Sequence, residues 1–390
     1  MSKTARPLVY LDHNATTPVR PEVVEAMLPF LREDFGNPNS VYLLGQRARK
    51  AVERARGEVA RLLGAADGEI VFTSCGSESD VLAISGAAWQ AREESAGKRA
   101  RIVTSPIEHD AVREKLKILK RRGFSVDVIP VDRHAMVDLG AAEKLIGDDV
   151  CVVTVMHANN EVGTIQPIAE LSKLARAKGA LMHADAVQSA GKIPIDVAAL
   201  GVDLLSISGH KINAPKGVGA LYIRKGVRLV SSITGHQEKN RRGGTENVAG
   251  IAGLGVAARL AAADAAHPEK YLALRRRLES GVLKINGARL NGHPDKRLPN
   301  GAHFSFAGLD GHQLVIALDL EGICVSAGPA CSSGASTPSH VLTAMGVPDE
   351  LATGSLRVSL GWGSSEADVD RLLVVLPGAV ERLRSVPARL

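Results

Sequence analysis

Residues 203–224 read DLLSISGHKINAPKGVGALYIR. An apolar run of strand length stops at Ser208, a Gly-His-Lys triplet and a Pro-Lys-Gly turn follow, and a second apolar run begins at Gly219. Neither run is long enough for a helix, and the glycines and proline between them break any helical period. The same grammar recurs outward along the chain. Strand-length runs stand at EIVFT (69–73), RIVTS (101–105), VDVIPV (126–131), VCVVTVMH (150–157) and ALMHAD (180–185). Between several of them lie segments of helical period. In 44–63, for example, Leu44, Ala48, Val52, Ala55, Val59 and Leu62 fall on one face. This alternation predicts an α/β fold with a mostly parallel sheet of seven strands. A long helical stretch over about 246–285 leads to a C-terminal part with strand signals at HFSF, GICVSA and LRVSL. A domain boundary is expected near residue 262.

Composition narrows the function. The 48 basic and 42 acidic residues leave a net charge of +6, but the charges are dispersed and aromatic residues make up only 3%, which argues against nucleic acid as a partner. No run approaches 18 uninterrupted apolar residues and the N-terminus carries no secretory pattern, so the expectation is a cytoplasmic protein without a membrane partner. Cysteines at 75, 151, 324 and 331 form no CxxC pair, so neither a zinc site nor a disulfide framework is expected.

In parallel sheets ligands collect beyond the strand ends, and five of these ends are polar. SCGSES after the first run places Gly76 and Ser77 where a helix would start. Free N–H groups there suit a phosphate, although a plain helix cap fits the same residues. Asp185 ends an apolar strand, where a carboxylate needs a positive partner. A pyridinium nitrogen would serve, with Gln188 reaching the same ring; a cap for the next helix is the alternative. Lys211 stands at the same sheet edge and is suited to a Schiff base with an aldehyde cofactor; Lys216 is its competitor. His109 could cover the cofactor ring or move protons beside it. Cys331 sits in a Gly-, Ser- and Pro-rich stretch, SAGPACSSGASTPSH, that reads as a mobile loop able to deliver a thiol; Cys75 is the rival nucleophile. Cys151 and Cys324 read as small residues packed in strands.

Ten ordered motifs carry a resemblance: YLDHNATTP, FGNP, FTSCGSESD, EHDAV, ANNEVGT, HADAVQSAGK, SISGHKINAPKGVGALY, GHQEKNRRGGTEN, ACSSGASTPSHVL and LRVSLG. Together they resemble the cysteine desulfurases, and most of all the NifS branch that supplies sulfur for nitrogenase clusters. The resemblance implies a fold-type I pyridoxal 5'-phosphate homodimer, with a large domain over 15–262 and a small α+β domain built from 1–14 and 263–390, that converts L-cysteine to L-alanine and hands the sulfur to an iron–sulfur scaffold protein. A selenocysteine lyase and a general IscS-like housekeeping desulfurase are the alternatives. By position it implies Lys211 as the Schiff-base lysine, Asp185 as partner of the ring nitrogen, Gln188 as contact of the ring oxygen and His109 as the ring-stacking histidine. Gly76, Ser77, Ser208 and His210 match phosphate contacts, and Thr245 matches a residue reaching the other subunit's phosphate. Asn14, Asn160 and Arg357 match residues around the cofactor and substrate, Arg357 gripping the carboxylate. Cys331 matches the persulfide-forming nucleophile. The stretch before it departs from the commoner pattern at Ala327 and Pro329, and Tyr42 and Ser77 replace a histidine and a threonine.

Overall fold

A computed structural model describes residues 8–328 and 338–385. Cys331 and Pro329 therefore lie outside the described residues. The large sheet contains all seven runs singled out above: β2 (Ile70–Thr73), β3 (Arg101–Thr104), β4 (Ser125–Val128), β5 (Val150–Thr154), β6 (Leu181–Asp185), β7 (Leu204–Ser208) and β8 (Gly219–Ile223), in the spatial order β2-β8-β7-β6-β5-β3-β4. All pairings are parallel except those of β8, which runs antiparallel to both β2 and β7. Every residue of β5, β7 and β8 is buried, which is why these strands read as continuous apolar runs and not as alternation. The strand order reverses direction at β3, with β4 on one side and β5, β6 and β7 following on the other. That reversal opens a crevice beyond the strand ends.

Two apolar cores fill the space on either side of this sheet. One joins its strands to the helices Leu43–Leu63 and Val248–Ala266; the other packs Leu82, Ile84 and Ala87 of the helix Gly76–Glu94 against Ile102, Val152 and Leu221. Helix Val248–Ala266 is long and apolar enough by length and composition to cross a membrane, but here it is sandwiched between Pro21–Arg32 and Leu43–Leu63. A Cβ on its Gly255 would stand 2.6 Å from the Cα of Ala55, so the two backbones meet only because that position has no side chain.

The helical stretch expected over 246–285 is two helices. The first ends at Ala266 and the second, Glu269–Val282, begins after Pro268, whose missing N–H and fixed φ suit a helix start. The second helix belongs to a separate core in which Leu274 and Leu278 meet Phe304, Leu356 and Leu372. Val9 and Leu11 pack into that same core, although they come from the other end of the chain. There β1 (Val9–Tyr10) pairs in parallel with β11 (Ile323–Cys324), beside an antiparallel sheet of β9 (Ala288–Asn291), β10 (Gly301–Phe306) and β12 (Ser355–Ser359) in the order β12-β10-β9. Strand β9 carries little apolar signal, and β1, only two residues long, is too short to be told from the sequence as a strand.

Candidate active site

The C-terminal ends of the parallel strands meet β12 at one cavity of about 210 Å³. Asp185, the last residue of β6, is 5% exposed and one of its oxygens accepts the Val187 N–H at 2.9 Å. It caps no helix: the next one, Val197–Leu200, is capped by Asp196. Burial raises the Asp185 pKa, while the nearby charges of His109 and Lys211 oppose that rise. Asp80, on the helix Gly76–Glu94, is a second buried carboxyl lining the same cavity. Burial first, and then the charge of Asp185, push its pKa well above the usual carboxylate range. Among the described residues the one basic group paired with Asp80 is a histidine that burial keeps neutral, His183 at 3.7 Å. Of the two carboxyls, Asp185 is the one with positive charges beside it, which favour its ionised form over that of Asp80.

Lys211 closes a single turn of 3₁₀ helix, Gly209–Lys211, directly after β7. Its Nζ donates to the carbonyls of Asn14 and, at 2.8 Å, Ala15. Lys216 is exposed on the following loop and does not line the cavity. His210 is held by Thr16 Oγ1 at 3.1 Å, and burial together with the Lys211 charge pushes its pKa down to about 4. His109 accepts the Ala111 N–H on Nδ1 at 3.1 Å and so caps the helix Asp110–Arg121. That bond leaves the proton of the neutral ring on Nε2. A capping role and a place in the cavity wall are thus both filled by the same histidine.

Opposite Lys211 the helix Gly76–Glu94 starts without a side-chain cap, because its N-cap residue is Cys75. Its first N–H groups have no intrahelical partner and stand at the positive end of the helix dipole. A Cβ on Gly76 would meet Val187 Cγ2 at 2.7 Å and Ser208 Cβ at 3.1 Å, so the close approach of this turn to the strand ends depends on glycine. Ser77, Ser208 and His210 complete that end of the cavity. An uncapped helix start flanked by hydroxyls, a lysine, and a buried aspartate on the same wall form a set that fits a phosphorylated aldehyde coenzyme with a basic ring nitrogen.

Arg357 of β12 forms the far wall. Its side chain is 2% exposed; Nη2 lies 2.8 Å from Asp12 Oδ1, Nη1 donates to the Asn160 carbonyl at 3.2 Å, and Nε has no partner among the described residues. Asn14 ties the walls together. Its amide donates to the Asn160 carbonyl, and its own carbonyl accepts from Gln188 Nε2 at 2.9 Å as well as from Lys211. Eleven of the residues singled out from the sequence line this one cavity, namely Asn14, Gly76, Ser77, His109, Asn160, Asp185, Gln188, Ser208, His210, Lys211 and Arg357. Thr245 does not: it is exposed in a separate cleft with Glu238 and Arg242.

Asp80 and His340 line the cavity and were not anticipated. Asp80 left one signal, a lone acid in the apolar helix sequence SDVLAI. Among the other cysteines, Cys151 is buried as expected, but Cys324 is partly exposed, since the two-residue strand that holds it lies at a sheet edge. Cys75 lines the cavity beside the helix start. Among the described residues no group of three or more His, Cys, Asp or Glu is arranged to hold a metal ion.

Residues 9–372 match the family described as Aminotransferase class-V. The chain is 48% identical over 385 residues to the cysteine desulfurase IscS of Methanosarcina thermophila, covering 98% of this chain and 94% of that one. It is 48% identical over 381 residues to the corresponding protein of Dictyoglomus turgidum, covering 97% and 96%. Among solved structures it is similar to a NifS-like protein at a TM-score of 0.89 and 39% identity, covering 97% of this chain and 100% of that chain. It is also similar to SspA in complex with cysteine at a TM-score of 0.79 and 34% identity, covering 90% and 98%.

Proposed function

The chain belongs to the class-V aminotransferase family and is a pyridoxal 5'-phosphate enzyme, and from that premise we propose that it is a cysteine desulfurase, taking the sulfur of L-cysteine onto Cys331 as a persulfide and releasing L-alanine. The observation that carries this reading is the convergence of Lys211, Asp185 and the uncapped helix start at Gly76 on one cavity that Arg357 closes.

When bound, the coenzyme supplies an electron sink for the bonds at the substrate's Cα. In this reading the N–H groups of Gly76 and Ser77, with Ser208 and His210, hold its phosphate. Asp185 would keep a proton on the ring nitrogen, Gln188 would serve the ring oxygen and His109 would cover the ring. Lys211 would be the covalent anchor for the aldehyde, and its Nζ, at the same cavity wall, would be the base that holds the substrate's Cα proton. Arg357 takes the substrate carboxylate, turned toward the cavity by its bond to Asp12, with Asn14 and Asn160 beside it. The Cys331 thiolate attacks the substrate sulfur: an S–S bond forms, the C–S bond breaks, and the carbon keeps the electron pair and is protonated on the way to alanine. That role rests on the position of Cys331 in the sequence.

The reading extends to a cytoplasmic homodimer with a large domain over 15–262 and a small one over 1–14 and 263–390, working with a scaffold protein that accepts sulfur for iron–sulfur clusters. Thr245 would reach the phosphate bound by the other subunit. Support for a dimer comes from Leu31, Phe35, Val41 and Leu43, apolar side chains that are 62%, 71%, 86% and 61% exposed within one short segment. Nitrogenase clusters and general cluster assembly are both destinations that the relatives' names allow.

The test is turnover. Purified protein loaded with coenzyme and given L-cysteine and a thiol reductant should yield alanine and sulfide in equal amounts. Cys331→Ala should keep the coenzyme absorbance and lose sulfur release. Unchanged sulfur release by that variant would defeat the proposal.

A further inference from the structure

Lys192 is buried at 8% exposure behind the coenzyme cavity. Burial first, and then the charges of Lys211 and Arg357, lower its pKa to about 7, and His13 and His210 stand beside it. Among the described residues it makes no ion pair. A lysine buried in this company is costly, and an apolar side chain of similar length would fill the space more cheaply. What Lys192 does make is two hydrogen bonds to one residue. Its Nζ donates to the Gln188 carbonyl at 2.9 Å and to Gln188 Oε1 at 3.0 Å.

The second bond decides which way the Gln188 amide faces. As an ammonium Lys192 can only donate, so the amide atom against it is then the oxygen. On the other side, the Asn14 carbonyl only accepts, so the atom 2.9 Å from it must be the amide nitrogen. The two neighbours independently demand the same orientation. Nε2 carries a second hydrogen, and Gln188 lines the cavity. Without Lys192 only the Asn14 carbonyl would hold the amide, and Lys211 draws on that same carbonyl.

We propose that Lys192 is a positioning residue that locks the Gln188 amide with its N–H donor toward the coenzyme's ring oxygen. This rests on the reading of Gln188 given above. A donor at that oxygen stabilises its anion, and thereby lowers the pH at which the coenzyme bound to Lys211 changes its absorbance.

The experiment titrates the absorbance of the coenzyme-loaded protein against pH for the wild type, Lys192→Met, Gln188→Ala and the double variant. Each single substitution is expected to raise the midpoint by about one pH unit, the worth of one hydrogen bond. The double variant should shift no further than Gln188→Ala alone. Lys192→Arg, which keeps N–H donors, should stay near the wild-type midpoint. An unshifted midpoint in Lys192→Met overturns the proposal, and so does an equal additional shift on the Gln188→Ala background, which would mean that the lysine acts by charge at a distance. Should Lys192→Met not fold, Lys192→Leu with and without Gln188→Ala completes the same cycle. A wild type that takes up no coenzyme would instead defeat the functional reading.

Discussion

Arg357 and Asp12, 345 residues apart in the chain, are joined by a bond of 2.8 Å that crosses from the last strand of the small sheet to the segment following the first. The arginine side chain is almost wholly buried, so the carboxylate sets both its charge balance and its direction. Asp12→Asn keeps the shape and removes the charge. Arg357 then loses its fixed aim, and KM for L-cysteine should rise about tenfold with kcat little changed, the sign of lost ground-state binding. The melting temperature should fall as well, because one member of a buried pair is left uncompensated. Steady-state kinetics and a thermal melt check both, and an unchanged KM would separate Asp12 from substrate binding.

Gly76→Ala tests the phosphate end. The new methyl would sit 2.7 Å from Val187 and 3.1 Å from Ser208, so the helix start must move away from the strand ends. Coenzyme affinity should fall about tenfold while the fold survives. Equilibrium titration of the apoprotein with coenzyme measures it, and an unchanged affinity would place the phosphate elsewhere.

Glu108 predicts a pH dependence. It is fully buried, with one oxygen accepting from Ser105 and the Met156 N–H and the other without a partner among the described residues, and burial pushes its pKa up to about 8. The unfolded chain ionises it near the ordinary 4.5, so its favourable contribution is complete below that pH and is lost as pH rises toward 8. The loss is about 1.4 kcal/mol for each pH unit. Glu108→Gln cannot ionise. Its stability relative to wild type should therefore climb from pH 5 to pH 8 and level off above, as read from melts across that range. A difference that stays constant would mean that Glu108 is ionised in the folded protein.

Much of this architecture is legible because burial on both faces writes itself into composition. β5, β7 and β8 are apolar from end to end, and the residues that follow parallel strands gather at one edge whatever the loops between them do. That is why Asp185 and Lys211 could be paired from the sequence. Elements whose existence depends on a distant partner are not legible in this way. The two residues of β1 become a strand only because Ile323 and Cys324 lie beside them, and the break at Pro268 separates two helices that share one continuous pattern. Asp12, Asp80 and Lys192 look like ordinary polar residues until the fold sets Arg357, Asp185 and Gln188 against them. Arg357 itself entered only through resemblance, since an arginine inside a strand gives no local sign of what it will face.

The central claim is that the amine of Lys211 carries the coenzyme. Borohydride reduction of the loaded protein, followed by digestion and mass spectrometry, would fix that bond permanently and locate it. A single coenzyme-bearing peptide is expected, with the modification on Lys211. Modification of Lys216 or of any other lysine, or no modified peptide from protein that has taken up coenzyme, would contradict it.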